Sequence, residues 1–225
     1  QGTEMNREML QKLIEIEDIV WDEYIFHSDV MYGKLTCAEK AEFSTKAKQC
    51  ARQAHKYLIQ AGGADEIENL LKQRQIHIEI AEDTSSLSIG TFALFTQPDT
   101  ITLFPSKYER AKEKIISEGL KEITQKWDFR NMALAHEFFH VYEAEHPQLF
   151  TMQKVLCLWK IGRFKNLTKL SSIREIAAAE FVRLALDLKC HPCVMEVFML
   201  YALNEKMGLE LCRSITACAE KWRNA

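Results

Sequence analysis

Apolar residues recur at helical spacing through the first third of the chain. Met5, Leu10, Leu13, Ile14, Ile16, Ile19 and Val20 stand among charges and predict an amphipathic helix over 5–21. Thr36, with Glu39 three residues on, predicts a capping box and a second helix running to about Gln60, ended by Ala61-Gly62-Gly63. A short helix over about 64–72 presents Ile67, Leu70 and Leu71. The period then changes to two. Gln75-Ile76-His77-Ile78-Glu79-Ile80 alternates strictly, which predicts a strand with His77 on its polar face. Asp83-Thr84-Ser85-Ser86 predicts a turn, Ile89 to Thr96 a second strand and Thr100 to Phe104 a third, with Gln97-Pro98-Asp99 as the hairpin turn between the last two.

Helical periodicity returns after Pro105. Helices are expected over roughly 107–122 and 127–145, the latter stopped by Pro147. Residues 148–164 read as apolar and helical. Ser171 or Ser172 is the expected cap of a helix from Ile173 to about Lys189, and Pro192 opens the last helical stretch. No repeat or linker interrupts the pattern. Helices, three strands and more helices predict an α+β fold, mostly helical, with a small sheet of about three strands packed on the helix at 127–145. One domain over 1–225 is expected. It has a helical part at 1–73, a core at 74–190 and C-terminal helices at 191–225.

Composition narrows the function classes. Of 225 residues, 47% are apolar and 27% charged, and the net charge of −3 suits an ordinary globular chain rather than a nucleic-acid or membrane-surface binder. No apolar run reaches the length of a spanning helix, and nothing at the start reads as a signal peptide, so a cytoplasmic location is expected. Seven scattered cysteines in helical surroundings suggest reduced thiols. Cys190-His191-Pro192-Cys193 lacks a second CxxC and reads as a turn between helices.

The candidate chemistry lies in His136-Glu137-Phe138-Phe139-His140, an HExxH sequence with no Gly or Pro between Trp127 and His146. Residues i and i+4 of a helix lie about 40° apart and roughly 6 Å along the axis, so both imidazoles can point at one cation. Neutral imidazole is a good zinc ligand, and Glu137, one step round, is placed to act as general base on a metal-bound water. Three fixed positions recur by chance in ordinary helices. The setting gives them weight, because Met132, Leu134, Ala135, Phe138, Phe139 and Val141 make the helix apolar nearly all round. Two histidines and a glutamate buried there need a partner that satisfies them, and a metal is one.

A catalytic zinc requires a third protein ligand. His146 has the spacing of the metzincin third histidine. However, Glu143 replaces the glycine that would turn the chain back, and six helical positions carry His146 about 240° from His140. Glu175, in Arg174-Glu175-Ile176-Ala177-Ala178-Ala179-Glu180, lies on a second helix whose small residues permit close packing. Glu180 is the alternative on that helix, about 140° away, so the two cannot face one metal equally.

His136-Glu-x-x-His140 followed by Glu175-x-x-Ala178-x-x-Phe181 resembles the gluzincin clan of zinc metallopeptidases, and within it the small minimal gluzincins of the ImmA/IrrE kind. The order of the Thr100–Phe104 strand, a helix, and Ala135-His136-Glu137-x-x-His140 is similar too. The likeness covers about residues 74–190. It implies a zincin-like core, Zn2+ on His136, His140 and Glu175, catalysis by Glu137, and an extended peptide or protein substrate. No nucleic-acid or membrane partner is expected. Ala179 departs from the family, which carries a polar residue there to orient a metal-binding histidine. Another group has to do this, or metal is held weakly. Tyr108, Tyr142, His146, Arg174 and His191 are the candidates for stabilising a transition state. The strand at Thr100–Phe104 is expected to be the free sheet edge beside the zinc, where a peptide would dock. Two other readings remain at this point. One is a non-catalytic regulator that uses the first 73 residues to bind a partner. The other is a helical interaction protein with an accidental HExxH.

Overall fold

The computed structural model describes residues 5–82 and 89–223, so the turn expected at Asp83-Thr84-Ser85-Ser86 lies outside them. The fold is α+β. Residues 5–21 do not form one helix. α1 spans Arg7–Ile14 and α2 spans Asp18–His27, because Glu17 between them is extended at φ −64° and ψ 144°. The bend lets Val20 and Trp21 enter the core along with Leu10 and Leu13. α3, Cys37–Gln60, begins at the predicted box. Thr36 Oγ1 accepts the Glu39 N–H, and the Glu39 carboxylate accepts the Thr36 N–H. α4 follows at Ile67–Gln73.

The sheet corrects the expected place of its strands. β1 (His77–Ile80), β2 (Ala93–Thr96) and β3 (Thr100–Leu103) are ordered β1-β3-β2. β3 pairs in parallel with β1 and antiparallel with β2, so the segment expected to be a free edge is the central strand. Alternation showed correctly that Ile101 and Leu103 are buried. It carries no information on how many strands flank a backbone, because side chains project perpendicular to the hydrogen-bonding direction. The docking of a peptide along β3 therefore fails, and the outer strands of the sheet are β1 and β2. His77 is exposed, as its polar face implied.

α5, Pro105–Ser117, leads to α6, Phe129–Glu145, which carries the HExxH residues. Residues 148–164 are a second correction. Only Phe150–Gln153 (α7) is helical, and β4 (Val155–Ile161) and β5 (Phe164–Lys169) form an antiparallel hairpin. Its two-residue turn has Gly162 first, at φ 58°, which suits the right-handed twist of the strands.

α8 spans Ser171–Ala185, α9 Cys193–Leu203 and α10 Glu205–Arg223. Neither serine caps α8 from N-cap position, which is Leu170. The cap comes from far away in the chain. Asp29, buried after α2, accepts the Ser172 N–H at 2.9 Å and the Ser171 hydroxyl at 3.2 Å. An anion there also meets the positive end of the helix dipole. α8 packs on both α3 and α6. One hydrophobic cluster runs from Met5 to Ala219, so the N- and C-terminal helices share a core with the middle of the chain. Among the described residues no helix is long and apolar enough to cross a membrane.

α9 and α10 cross closely at Gly208. A Cβ built there would lie 2.2 Å from Tyr201 Cα, which is backbone and cannot swing aside. Alanine in a helix interior is favoured over glycine by about 1 kcal/mol, whereas overpacking costs roughly 1–3 kcal/mol or more. The clash wins. Gly208→Ala should lower the urea unfolding free energy by about 2 kcal/mol, and an unchanged or raised value would refute the close crossing.

Candidate metal centre

α6 starts where the Asp128 carboxylate accepts the Asn131 N–H at 2.9 Å. Most of the helix is buried, including Phe138 and Phe139, whose rings pack on Phe181 of α8. That packing brings α8 across the histidines. His136 Nε2 and His140 Nε2 lie 3.1 Å apart. One Glu175 oxygen is 3.2 Å from His136 Nε2, and the other is 3.6 Å from His140 Nε2. Zinc ligands at about 2.0–2.1 Å in a tetrahedron sit roughly 3.4 Å from one another, so this spacing fits such an ion. Among the described residues this is the one His/Cys/Asp/Glu group able to hold a metal.

The other candidates for third ligand lie elsewhere. His146 caps α6, stacks on Tyr142 and places Nδ1 2.6 Å from the Tyr142 carbonyl. Glu180 is buried against Arg183, with bonds of 2.6 and 3.0 Å. Glu137 is beside the three ligand candidates but outside their group. Its Oε2 accepts the Phe95 N–H of β2 at 2.9 Å. Peptide groups alternate in direction along an antiparallel strand, so Phe95 turns its N–H away from β3 and toward α6.

Glu143, one turn past His140 on α6, faces the outer nitrogen of that imidazole. Its carboxylate is fully buried, 3.4 Å from His140 Nδ1, and accepts the Arg174 Nε–H at 2.7 Å. A proton on Nδ1 facing Glu143 leaves the Nε2 lone pair free for a cation. Burial alone would raise the Glu143 carboxyl, but His140, Thr151 and Arg174 outweigh it and hold it below the ordinary value. The i, i+3 spacing of His140 and Glu143 is the local signal in the sequence that points to this contact.

The cluster's electrostatics favour a cation. Burial would lower the His136 imidazole, yet the hydrogen bond and charge of Glu175 override it and raise it to about 10. Burial would likewise raise Glu175, and the two histidines instead pull it well below the usual range. Two hollows open beside the site and share Glu137 and Glu175. Leu94, Phe95, Gln97, His140 and Arg174 line one, and Thr91, Phe92, Ala93, Met132, His136 and Glu196 line the other. Arg174 is thus the candidate stabiliser that reaches the site. Tyr108 is tied to the Phe92 carbonyl at 2.5 Å and to the Phe104 N–H, and Tyr142 packs against Tyr57. Burial raises the thiols of Cys190, to about 11, and Cys193, well above the ordinary value, so neither is an activated nucleophile.

No family model matches the chain, and no curated protein or solved structure matches it either.

Replacing Glu143 by Gln should weaken zinc binding roughly 10–100-fold with the helical circular dichroism retained, as loss of a histidine's hydrogen-bond partner does elsewhere. Competition against a chromophoric chelator would measure this, and unchanged affinity would remove Glu143 from the site.

His191 makes a separate prediction. It stacks on Trp21, and its Nδ1 accepts the Cys193 N–H, which protonation would forbid. Burial, opposed by Asp18 and reinforced by Lys48 and Arg183, depresses it from 6.5 to about 3. Between those values the unfolded chain binds a proton that the folded chain refuses. Stability therefore falls as pH drops below about 6.5, by up to about 1.4 kcal/mol per pH unit from this group. Urea titrations at several pH values should show a shallower acid loss in His191→Gln. An identical slope would mean that His191 titrates normally in the fold.

Proposed function

We propose that this chain is a zinc-dependent hydrolase of gluzincin type, most simply a metallopeptidase with a zincin-like core. The observation that carries the reading is the convergence of His136, His140 and Glu175 from two helices, with Glu137 adjacent but free of the ligand set. A zinc ion held there supplies an acidified water and a Lewis acid that polarises a carbonyl. Glu137, beside the three residues that would hold the ion and outside their group, would serve as the general base toward such a water and as the proton donor to the leaving amine. The Phe95 amide fixes the Glu137 carboxylate between the two hollows, so it needs little reorganisation to act. His140 is kept in the tautomer that binds metal by Glu143, itself held by Arg174. Arg174, on the wall of one hollow, is the residue placed to meet negative charge that develops on the substrate. An extended peptide is the substrate class that suits a cleft bordered by an outer strand, β2, whose outward Phe95 N–H is itself taken by Glu137. Because Glu143 does the work expected at position 179, Ala179 gives no support to a non-catalytic regulator.

Elemental analysis and turnover of an unfolded protein substrate, run on the same samples, test the reading. Wild type should carry about one zinc per chain. Both properties should be lost in His136→Ala and His140→Ala, and Glu137→Gln should keep zinc while losing turnover by several orders of magnitude. Zinc retained in both histidine variants, or full turnover in Glu137→Gln, would overturn it.

A further inference from the structure

The β4–β5 hairpin carries a surface that the candidate metal centre does not use. Residues 154–169 contain Lys154, Lys160, Arg163, Lys165 and Lys169 and no acidic residue. The rest of the chain is accordingly more acidic than the net charge of −3 suggests. The average conceals a local cationic patch, and it is the local field that acts on a partner.

Register sorts the side chains at the hairpin tip. Ile161 pairs with Phe164 and Trp159 with Asn166, so Trp159, Ile161 and Phe164 share one face. They are 47%, 70% and 65% exposed, an unusual cluster of large apolar groups at the end of a projecting element. Lys160 pairs with Lys165 on the other face. Like charges directly opposite each other destabilise a two-stranded sheet. Among the described residues, Lys160, Arg163, Lys165 and Lys169 make no ion pair that would relieve the repulsion. At its base the hairpin is anchored. Lys34 Nζ donates to the Leu158 carbonyl, Lys154 sits 4.3 Å from the Phe43 ring centre, and Leu156 and Leu158 pack against the core. The tip is left with apolar groups in water on one face, Lys160 and Lys165 without counter-charges on the other, and the Arg163 guanidinium 5.4 Å from the centre of the Phe164 ring.

We propose that this hairpin docks on an anionic lipid bilayer surface, with Trp159, Ile161 and Phe164 entering the interfacial region and Lys160, Arg163 and Lys165 lying at the headgroups. An indole suits the interface because it joins an apolar ring to a polar N–H. Basic residues beside anionic lipid are attracted roughly additively, and the attraction is screened by salt. Ile161, like exposed Leu167, has no flat ring on which a base can stack, so the apolar half of this surface fits lipid better than nucleic acid. The proposal is independent of the metal centre and stands or falls without it.

Sedimentation of the full chain with mixed phosphatidylcholine–phosphatidylserine vesicles tests it, with pure phosphatidylcholine vesicles as the uncharged control. Binding is expected to the mixed vesicles at low ionic strength, and it should fall as salt is added. Removing each cation should cost roughly five-fold, so Lys160→Gln with Lys165→Gln should weaken binding on the order of 25-fold. Trp159→Ser with Phe164→Ser should weaken it independently. Thermal melts should stay close to wild type, since these side chains touch little of the core. No binding at low ionic strength would overturn the proposal, as would equal binding to both vesicle types or binding unchanged in both double variants. Hairpin-dependent self-association or nucleic-acid retention in the absence of vesicle binding would also overturn it.

Discussion

How closely α8 can approach its neighbours sets everything at the candidate metal centre. A glutamate on one helix can share an ion with two histidines on another only if the two helices pack closely. Ala177, Ala178 and Ala179 are all buried on α8, and α3 brings its own buried stripe of Ala47, Ala51 and Ala54 to the helix it packs against. Small residues hold α8 close, and the large ones, Phe138, Phe139 and Phe181, fill the space beside the site. A larger side chain in the alanine run would push Glu175 outward with no change in the residues that carry the chemistry.

Glu143 is the electrostatic counterpart of that packing. A fully buried carboxylate is costly unless every charge around it is arranged in its favour. Here Arg174 and His140 both face it. The pairing joins α6 to α8 one turn beyond the histidines and sets the imidazole tautomer in the same contact. Arg174 and Glu175 are consecutive on α8. One sets the orientation of a histidine from behind while the other closes the site from the front.

Much of this was legible in the chain, and the rest was not for identifiable reasons. HExxH spacing, the apolar wrap of its helix and the small-residue flank of Glu175 are local properties, and they indicated which side chains would meet. Helix phase separated Glu175 from Glu180 and His146 for the same reason. The capping box at Thr36 was visible because both its members lie within one turn. Part of what failed depends on partners that the local pattern does not reveal. β3 acquired β1, 23 residues earlier, as a second neighbour beside β2. Asp29 displaced two adjacent serines as the cap of α8. The apolar run after Pro147 fits either period over so short a window, and the turn at Gly162 was the overlooked sign of a hairpin.

Asp29 also bears on how such a chain could be rearranged or shortened. It belongs to the helical stretch before residue 74, yet its carboxylate ends on the backbone of the helix that holds Glu175. Burial would raise that carboxyl, and the amides and hydroxyls of Ser172, Met31 and Ser171 lower it instead, so it is held as an anion. The N-terminal stretch is therefore no detachable module. Recombination that exchanged it for another helical segment would leave the start of α8 without its counter-charge. Inheritance of the two parts together is the arrangement this geometry favours.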